Sequence, residues 1–366
     1  IGKPGAGLCP VRGHSNVQGN RTMLIWDKPK PKQLDKLKEI FGFEPPRGHG
    51  YDVVESIKAM DEGKLKVFFA MGGNFLSATP DTLFTAQAMR KLKLSVHVST
   101  KLNRSHLVHG EEALILPTLS RSDKDVVNGE EQFISCENSM GVVQMSQGML
   151  KPVSDHLMNE NQIVCNLAKA TLGNRSVIDW GKYAQSYDAV RDVIAKVIPG
   201  CEDYNQKVRL PGGFYLPNAA REGKFITEKN GGVVPFNIAP LPKHELSVDE
   251  YHMATIRSHD QFNTTIYGLN DRYRGIHNER RIILMNENDM QKAGFKAQEK
   301  VDLFNYDDGV ERVARLFVVV PYNIPEGNTA TYYPEANVLI PINSVAEQSN
   351  TPTSKLVVIK IRKHVA

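Results

Sequence analysis

Gly72-Gly73-Asn74 is a segment of this 366-residue sequence whose residue types invite chemistry. Glycines let the main chain come close to a ligand, and an asparagine offers both a donor and an acceptor to a polar edge. The same three residues also build an ordinary tight βα turn with no ligand, and the pattern alone leaves both readings open. Ser99-Thr100 and Pro117-Thr118 close two further apolar runs and bring hydroxyls to equivalent places. Arg104 and His106 follow shortly, as a cation and an imidazole near the same spot or as solvated loop residues. The cysteines are Cys9, Cys136, Cys165 and Cys201, and no two form a CxxC pair. Such spacing carries no zinc or iron-sulfur signature, and scattered thiols read as the reduced residues of a cytoplasmic protein.

The elements that must hold these residues are legible from periodicity. Leu34, Leu37, Ile40 and Phe41 fall on one face of a helix over 33–41, and Val54, Ile57 and Met60 repeat the pattern over 51–61, with Gly63 placed to end it. Val67-Phe68-Phe69-Ala70 then reads as a buried strand running into Gly72. Thr79-Pro80-Asp81 opens a helix, with Thr79 as N-cap, that runs to about Leu92. Strands follow at 94–98 and 113–116. Strand, helix, strand at this spacing argues for a parallel sheet with right-handed crossovers, whose ligands sit beyond the C-terminal strand ends. Further on, Ser154 is expected to cap a helix that runs towards Gly173, and a second helix is expected over 182–198. Residues 201–242 are rich in Pro and Gly and read as connecting hairpins and a boundary. After about residue 240 the pattern turns to β, with strands at 281–285, 300–304 and 312–320. A turn at Asp307-Asp308-Gly309 separates the last two, and a short helix over 287–293 ends at Gly294. Strands interrupted by one short helix suggest a small closed barrel, which has no exposed edge.

Composition bounds the rest. Hydrophobic residues at 41% and charged residues at 23% are an ordinary mixture able to bury a core, and the length suggests two domains. A net charge of +4 argues against a surface built to coat nucleic acid. No run of 18 apolar residues is present, so no membrane span is expected. Ile1-Gly2-Lys3-Pro4 is neither an initiator methionine nor a signal peptide. A chain that opens inside a glycine-rich stretch is expected to be a fragment.

That opening stretch, Gly2 to Gly19, closely resembles the GKPGAGxxPVRGxxNVQG loop of molybdopterin-guanine-dinucleotide formate dehydrogenases. Its His14-Ser15 is similar to the formate dehydrogenase alpha-subunit-like branch. Ala70-Met71-Gly72-Gly73-Asn74 resembles the family's strand-to-loop GxN element, and Ala113-Leu114-Ile115-Leu116-Pro117 its ADVILP strand end. Glu137-Asn138-Ser139-Met140-Gly141 fits a later family segment. The stretch from Thr255 to Thr264 is similar to the opening of the family's C-terminal dinucleotide-binding barrel. Tyr333 to Leu339 and Asn350 to Lys355 are similar to the barrel's close. The resemblance implies an α/β fold: a parallel-sheet domain over 1–240, with loop 1–30 from the active-site region, followed over 241–366 by a six-stranded double-psi type β-barrel.

The same resemblance implies bis-molybdopterin guanine dinucleotide with Mo or W as cofactor. Gly72, Gly73, Asn74, Ser99 and Thr100 stand at its matching positions in the sheet domain, and Arg257, Gln261, Asn263, Asn337 and Lys355 in the barrel. Arg12 occupies the position of the arginine that helps bind formate, its planar guanidinium suited to a carboxylate. His14 stands where the family usually has Gln, and either relays a proton or hydrogen-bonds the cofactor. Gln261 stands where His is common, and Ser99-Thr100 where many relatives carry an acid for the nucleotide sugar. The metal ligand and any cysteines for a 4Fe-4S cluster lie upstream of this segment in the family. The chain alone is therefore expected to be inactive, with the N-terminal half of the same polypeptide and an electron-transfer protein as partners. Formate oxidation is the leading activity. Related enzymes acting on another oxyanion or oxide, and a cofactor-free remnant module, are the alternatives.

Overall fold

Val54, Ile57 and Met60 are all buried on the inner face of the helix Val53–Asp61, as their spacing requires. The helix starts two residues later than the sequence suggested, because Asp52 and Glu55 form a capping box: each side chain accepts the other's main-chain N–H. The computed structural model describes Gly5, residues 16–218, Gly231, and residues 238–239, 245–264 and 266–365. Arg12, His14 and Cys9 lie outside the described residues. Two compact units emerge, one of residues 1–50 with 117–240, the other of 51–116 with 241–366.

In the second unit, β1 (Val67–Met71), β2 (Leu94–Ser99) and β3 (Glu112–Pro117) lie side by side in that order. β1 and β2 are parallel, with Val67 opposite Leu94 and Met71 opposite Val98. β1 was expected to be buried, yet none of its five residues is. It is an edge strand, and central β2 takes the buried position instead, with residues 95–98 all inside. Beneath the sheet, Ile57, Leu76, Met89 and Leu92 pack into one core that Ile342 joins from the far end of the chain.

The helix after Gly72-Gly73-Asn74 also differs from expectation. A four-residue helix, Phe75–Ala78, comes first, and Thr79 ends it with its hydroxyl donating to Phe75 O at 2.9 Å. The next helix, Thr82–Arg90, has Asp81 at its N-cap position without a side-chain cap. The Asp81 carboxylate accepts instead from the Arg312 guanidinium, at 2.9 and 2.8 Å. A buried arginine outcompetes an orphan backbone N–H for that carboxylate.

Six strands close the barrel: β4 (Glu250–Ile256), β5 (Ile282–Met285), β6 (Lys300–Asn305), β7 (Arg312–Pro321), β8 (Asn328–Tyr332) and β9 (Val357–Lys363). Their order is β5-β7-β6-β9-β4-β8, with β8 pairing back to β5. β5–β7 and β4–β8 are parallel; the other pairs are antiparallel. All four residues of β5 are buried because it is covered on both faces. Ile283 and Met285 enter one core with Met253, Leu303 and Phe317, while Ile282 and Leu284 enter another with Ile276 and Tyr332. Glu287–Ala293 is a helix, and Gly294 ends it in the left-handed conformation at φ 70°, as read from sequence.

The first unit carries the helix Pro31–Phe41 and a small antiparallel sheet of residues 134–137, 142–146 and 214–215. Asn159, not Ser154, caps the helix Glu160–Leu172, its Oδ1 accepting from Gln162 N at 2.7 Å; Ser154 only closes a local turn. The single helix expected over 182–198 is two, Trp180–Gln185 and Tyr187–Val197. Ser186 sits between them in extended conformation and caps the second. Its hydroxyl bonded to the Ala189 N–H is the local alternative to helix that serine offers. Among the described residues no helix is long and apolar enough to cross a membrane.

Candidate functional site

β1 delivers the chain into a turn that only glycines take without strain. Gly72 and Gly73 have φ of 69° and 76°. A Cβ on either would meet nothing within 4 Å, so the requirement is conformational, not one of space. Gly72 N donates to Val98 O at 2.7 Å, and Gly73 O accepts from Asn103 Nδ2 at 2.7 Å. Asn74 follows, buried, with its Oδ1 accepting from Ser105 Oγ at 3.0 Å and its Nδ2 aimed at Thr264 O at 3.4 Å. This long contact joins the turn to the segment that enters the barrel.

Between them opens a cleft of about 790 Å³, within the range usual for small-molecule and cofactor sites. Asn74, Lys101, Asn103 and Arg104 line one side; Thr264, Arg281, Lys300 and Leu316 belong to the barrel side. Five cationic side chains line it against two carboxylates, so the cleft is electropositive.

The residues singled out from the sequence divide into those at the cleft and those elsewhere. Asn74 lines it, and the Gly72-Gly73 turn leads into it. Ser99 ends β2, but its Oγ is 3.1 Å from His106 Nε2. Asn103 N donates to His106 Nδ1 at 3.0 Å, and the same ring nitrogen lies 3.2 Å from Asn103 O, so the imidazole bridges Ser99 and the Asn103 main chain. Thr100 is exposed and does not line the cleft. Gln261 is buried and spends its amide inside the unit: Oε1 accepts from Ser258 N at 3.0 Å and Arg280 at 3.1 Å, and Nε2 donates to Asn263 O and Tyr333 O. Asn263 sits next to it at φ 53°. Asn337 donates to Ser77 O at 2.9 Å, yet its buried Oδ1 has no hydrogen-bond partner. Arg257 and Lys355 make a second basic spot outside the cleft. Arg257 lies over the Tyr333 ring at 5.9 Å, and Lys355 Nζ donates to Thr255 O. Partial burial and the Arg257 charge hold the Lys355 ammonium below the ordinary lysine range.

Sequence reading missed Arg280. Its guanidinium is buried and donates to both carboxylate oxygens of Glu335 (2.6 and 3.1 Å), to Ser258 Oγ (2.8 Å), to Gln261 Oε1 and to Tyr333 O (2.9 Å). The Tyr267 ring lies 4.1 Å from it. Asp271 was missed as well. Burial opposes its charge, but Tyr332 OH, Arg274 and both N–H groups of His259 donate to it and hold it well below the usual carboxylate range.

Comparison with known proteins now bears on this site. Residues 251–358 match the family model of the molydopterin dinucleotide binding domain. An uncharacterised oxidoreductase of Mycobacterium tuberculosis (strain H37Rv) is 50% identical over 370 residues, covering 99% of this chain and 47% of that protein. Protein YdeP of Escherichia coli K12 is 39% identical over 367 residues, 99% of this chain and 48% of that one. Acetylene hydratase from Pelobacter acetylenicus is similar in fold, with a TM-score of 0.52 at 14% identity over 91% of this chain and 50% of that one. These findings support a molybdopterin-dinucleotide-binding region within residues 251–358. The chain spans about half the length of these relatives.

Proposed function

We propose that this chain carries cofactor-binding regions of a molybdopterin oxidoreductase, and that its leading substrate is formate. One observation carries the reading: the electropositive cleft lies in the unit that contains the dinucleotide-binding match, between the Gly72-Gly73-Asn74 turn and the barrel. The residues present fit a phosphorylated, many-edged cofactor. Main chain is presented at a positive-φ turn, and cations face the opening. Gly72, Gly73 and Asn74, with Thr264, would hold the nucleotide portion, and Arg257 and Lys355 would meet a further phosphate or pterin edge. Gln261, with its amide already spent, would shape the loop that carries Asn263 and not read the cofactor itself.

In the finer reading the cofactor is the bis guanine dinucleotide form with Mo or W, and the barrel is of double-psi type. The cofactor-binding domains fall at 1–240 and 241–366, and the protein works in the cytoplasm. When bound, the cofactor supplies the metal centre that takes up two electrons. Formate would then give carbon dioxide, one proton and two electrons, the last passing to an electron-transfer partner. Arg12 would hold the substrate carboxylate through paired N–H donors, and His14 would accept the proton or fix the cofactor. Metal analysis and formate-dependent dye reduction on the purified full-length polypeptide test this. Molybdenum or tungsten with released guanine nucleotide is expected. A protein loaded with metal that reduces nitrate or a sulfoxide but leaves formate untouched would replace the substrate while keeping the cofactor.

A further inference from the structure

We infer that Asp302, which does not itself line the cleft, is a positioning residue that sets one cleft wall by holding Leu316 in a strained bulge. That role rests on the cofactor reading above and concerns how the ring of a nucleotide is met. Between the pairs Val301–Phe317 and Leu303–Ala314, β6 has one residue, Asp302, whereas β7 has two, Arg315 and Leu316. The extra residue is a β-bulge. Leu316 takes φ 63° in it, the left-handed conformation that glycine supplies in one common kind of bulge and that is costly for leucine.

The bulge changes where Leu316 goes. Ala314 and Phe317 both enter the barrel core. Regular alternation from Ala314 would carry Leu316 inward after it. Instead Leu316 keeps 37% of its surface exposed and lines the cleft, while Phe317 is buried at 1%. The leucine thus bears backbone strain and forgoes core burial together. Of the three leucines at the opening, Leu102 and Leu269 sit on loops, and Leu316 alone stands on a barrel strand.

Strain of this kind persists only where the surroundings enforce it. The buried Asp302 carboxylate accepts the Leu316 N–H at 2.9 Å and an Arg315 Nη1 donor at 3.3 Å. His364 Nδ1 lies 3.0 and 3.1 Å from its two oxygens. Burial opposes the charge of Asp302, but the Leu316 N–H and the His364 imidazole hold it below the usual carboxylate range. His364 N also donates to Lys300 O at 2.9 Å, so one residue braces both the bulge and a cation of the cleft. An apolar wall fixed in this way suits the uncharged planar ring of a ligand whose anionic part meets the cations. It lets the cleft tell a nucleotide from a bare diphosphate.

Calorimetric titration of the full chain with GDP and with inorganic pyrophosphate tests this role. The parent chain should bind GDP the more tightly. Leu316→Ala and Asp302→Ala should each weaken GDP roughly tenfold, the loss of part of one leucine's apolar contact, and leave pyrophosphate within about twofold. The double variant should bind GDP no more weakly than either single one, since both changes remove the same wall. Asp302→Asn keeps an oxygen for the Leu316 N–H and should restore most of the preference for GDP. Leu316→Gly should unfold at higher urea than Leu316→Ala, because glycine takes this φ without strain. The reverse order would remove the strain and overturn the inference. Equal losses of GDP and pyrophosphate in Asp302→Ala would make Asp302 a prop of the fold alone and overturn it too. So would additive losses in the double variant, GDP binding unmoved by either alanine change, or a folded chain that ignores GDP. Metal and pterin content of the full-length polypeptide reports separately on the cofactor reading. Both present, with GDP binding indifferent to Asp302→Ala, sinks this inference alone; wall-dependent GDP binding without metal or pterin sinks the other.

Discussion

Arg280 organises the barrel side of the site through donors that leave its charge fully matched. It links Glu335, Ser258, Gln261 and Tyr333, so the segment carrying Arg257, Gln261 and Asn263 is tied to the segment carrying Glu335 and Asn337. Removing one partner leaves a buried charge uncompensated, which typically costs about 3–5 kcal/mol. Arg280→Met and Glu335→Ala should each lower the urea-unfolding free energy by about that much, and the double variant by clearly less than the sum. Additive losses would mean that the pair does not act as a unit. Residues of this kind hide in a sequence. Asn74 was legible because two glycines before it announce a special backbone, whereas Arg280 stands beside Arg281 with nothing in its type to say which is buried. Gln261 shows the converse. Its position was marked as cofactor-facing, yet partners far along the chain, Arg280 and Tyr333, occupy its amide, and no local pattern reveals them.

At the scale of elements, strong periodicity was readable and competition between partners was not. The helices Pro31–Phe41, Val53–Asp61 and Glu287–Ala293 follow their apolar spacing and their glycine or capping signals. Thr82–Arg90 begins away from Thr79 because Asp81 is drawn to Arg312, 231 residues on. β4 escaped notice although Tyr251, Met253 and Thr255 alternate inward, since His252 and Glu250 dilute its apolar character. Asp271 belongs to this scale, because it fastens three pieces at once: the loop at His259, its own turn through Arg274, and β8 through Tyr332. Its folded pKa lies below the unfolded value near about 3.9. Stability from this group is thus complete above that unfolded value and is lost as pH falls through the lower folded one. Below roughly pH 4, Asp271→Asn should show a flatter decline of unfolding free energy than the parent protein, while being less stable at neutral pH. Parallel acid limbs for the two proteins would assign the acid sensitivity elsewhere.

For the whole molecule, compactness does not follow chain order, since residues 51–116 group with 241–366. Ile342 packs among Val54, Ile57 and Met89, Asn337 reaches Ser77, and Asn350 donates to Asp52 at 2.7 Å. The sheet that presents Gly72-Gly73-Asn74 is thereby held against the barrel that presents Thr264, and the cleft exists only when both have folded. Arg312 is the strongest of these ties. It is buried, and its fork spans Asp81 from the sheet region and Asp308 from the barrel's own turn, at 2.6–3.0 Å. Burial disfavours its charge, but the two carboxylates more than offset this and hold its pKa above the ordinary arginine value. Asp308 alone can be satisfied by a barrel folding by itself, whereas Asp81 arrives only when the sheet docks. Asp81→Ala should therefore cost about 3–5 kcal/mol, and Arg312→Met a comparable amount. In the double variant the coupling should be on the order of 1–3 kcal/mol, because neither charge is then buried alone. GDP affinity should fall in Asp81→Ala although Asp81 does not line the cleft. Unchanged nucleotide binding together with lost stability would show that the sheet holds its place through apolar packing and that the ion pair does not position the site.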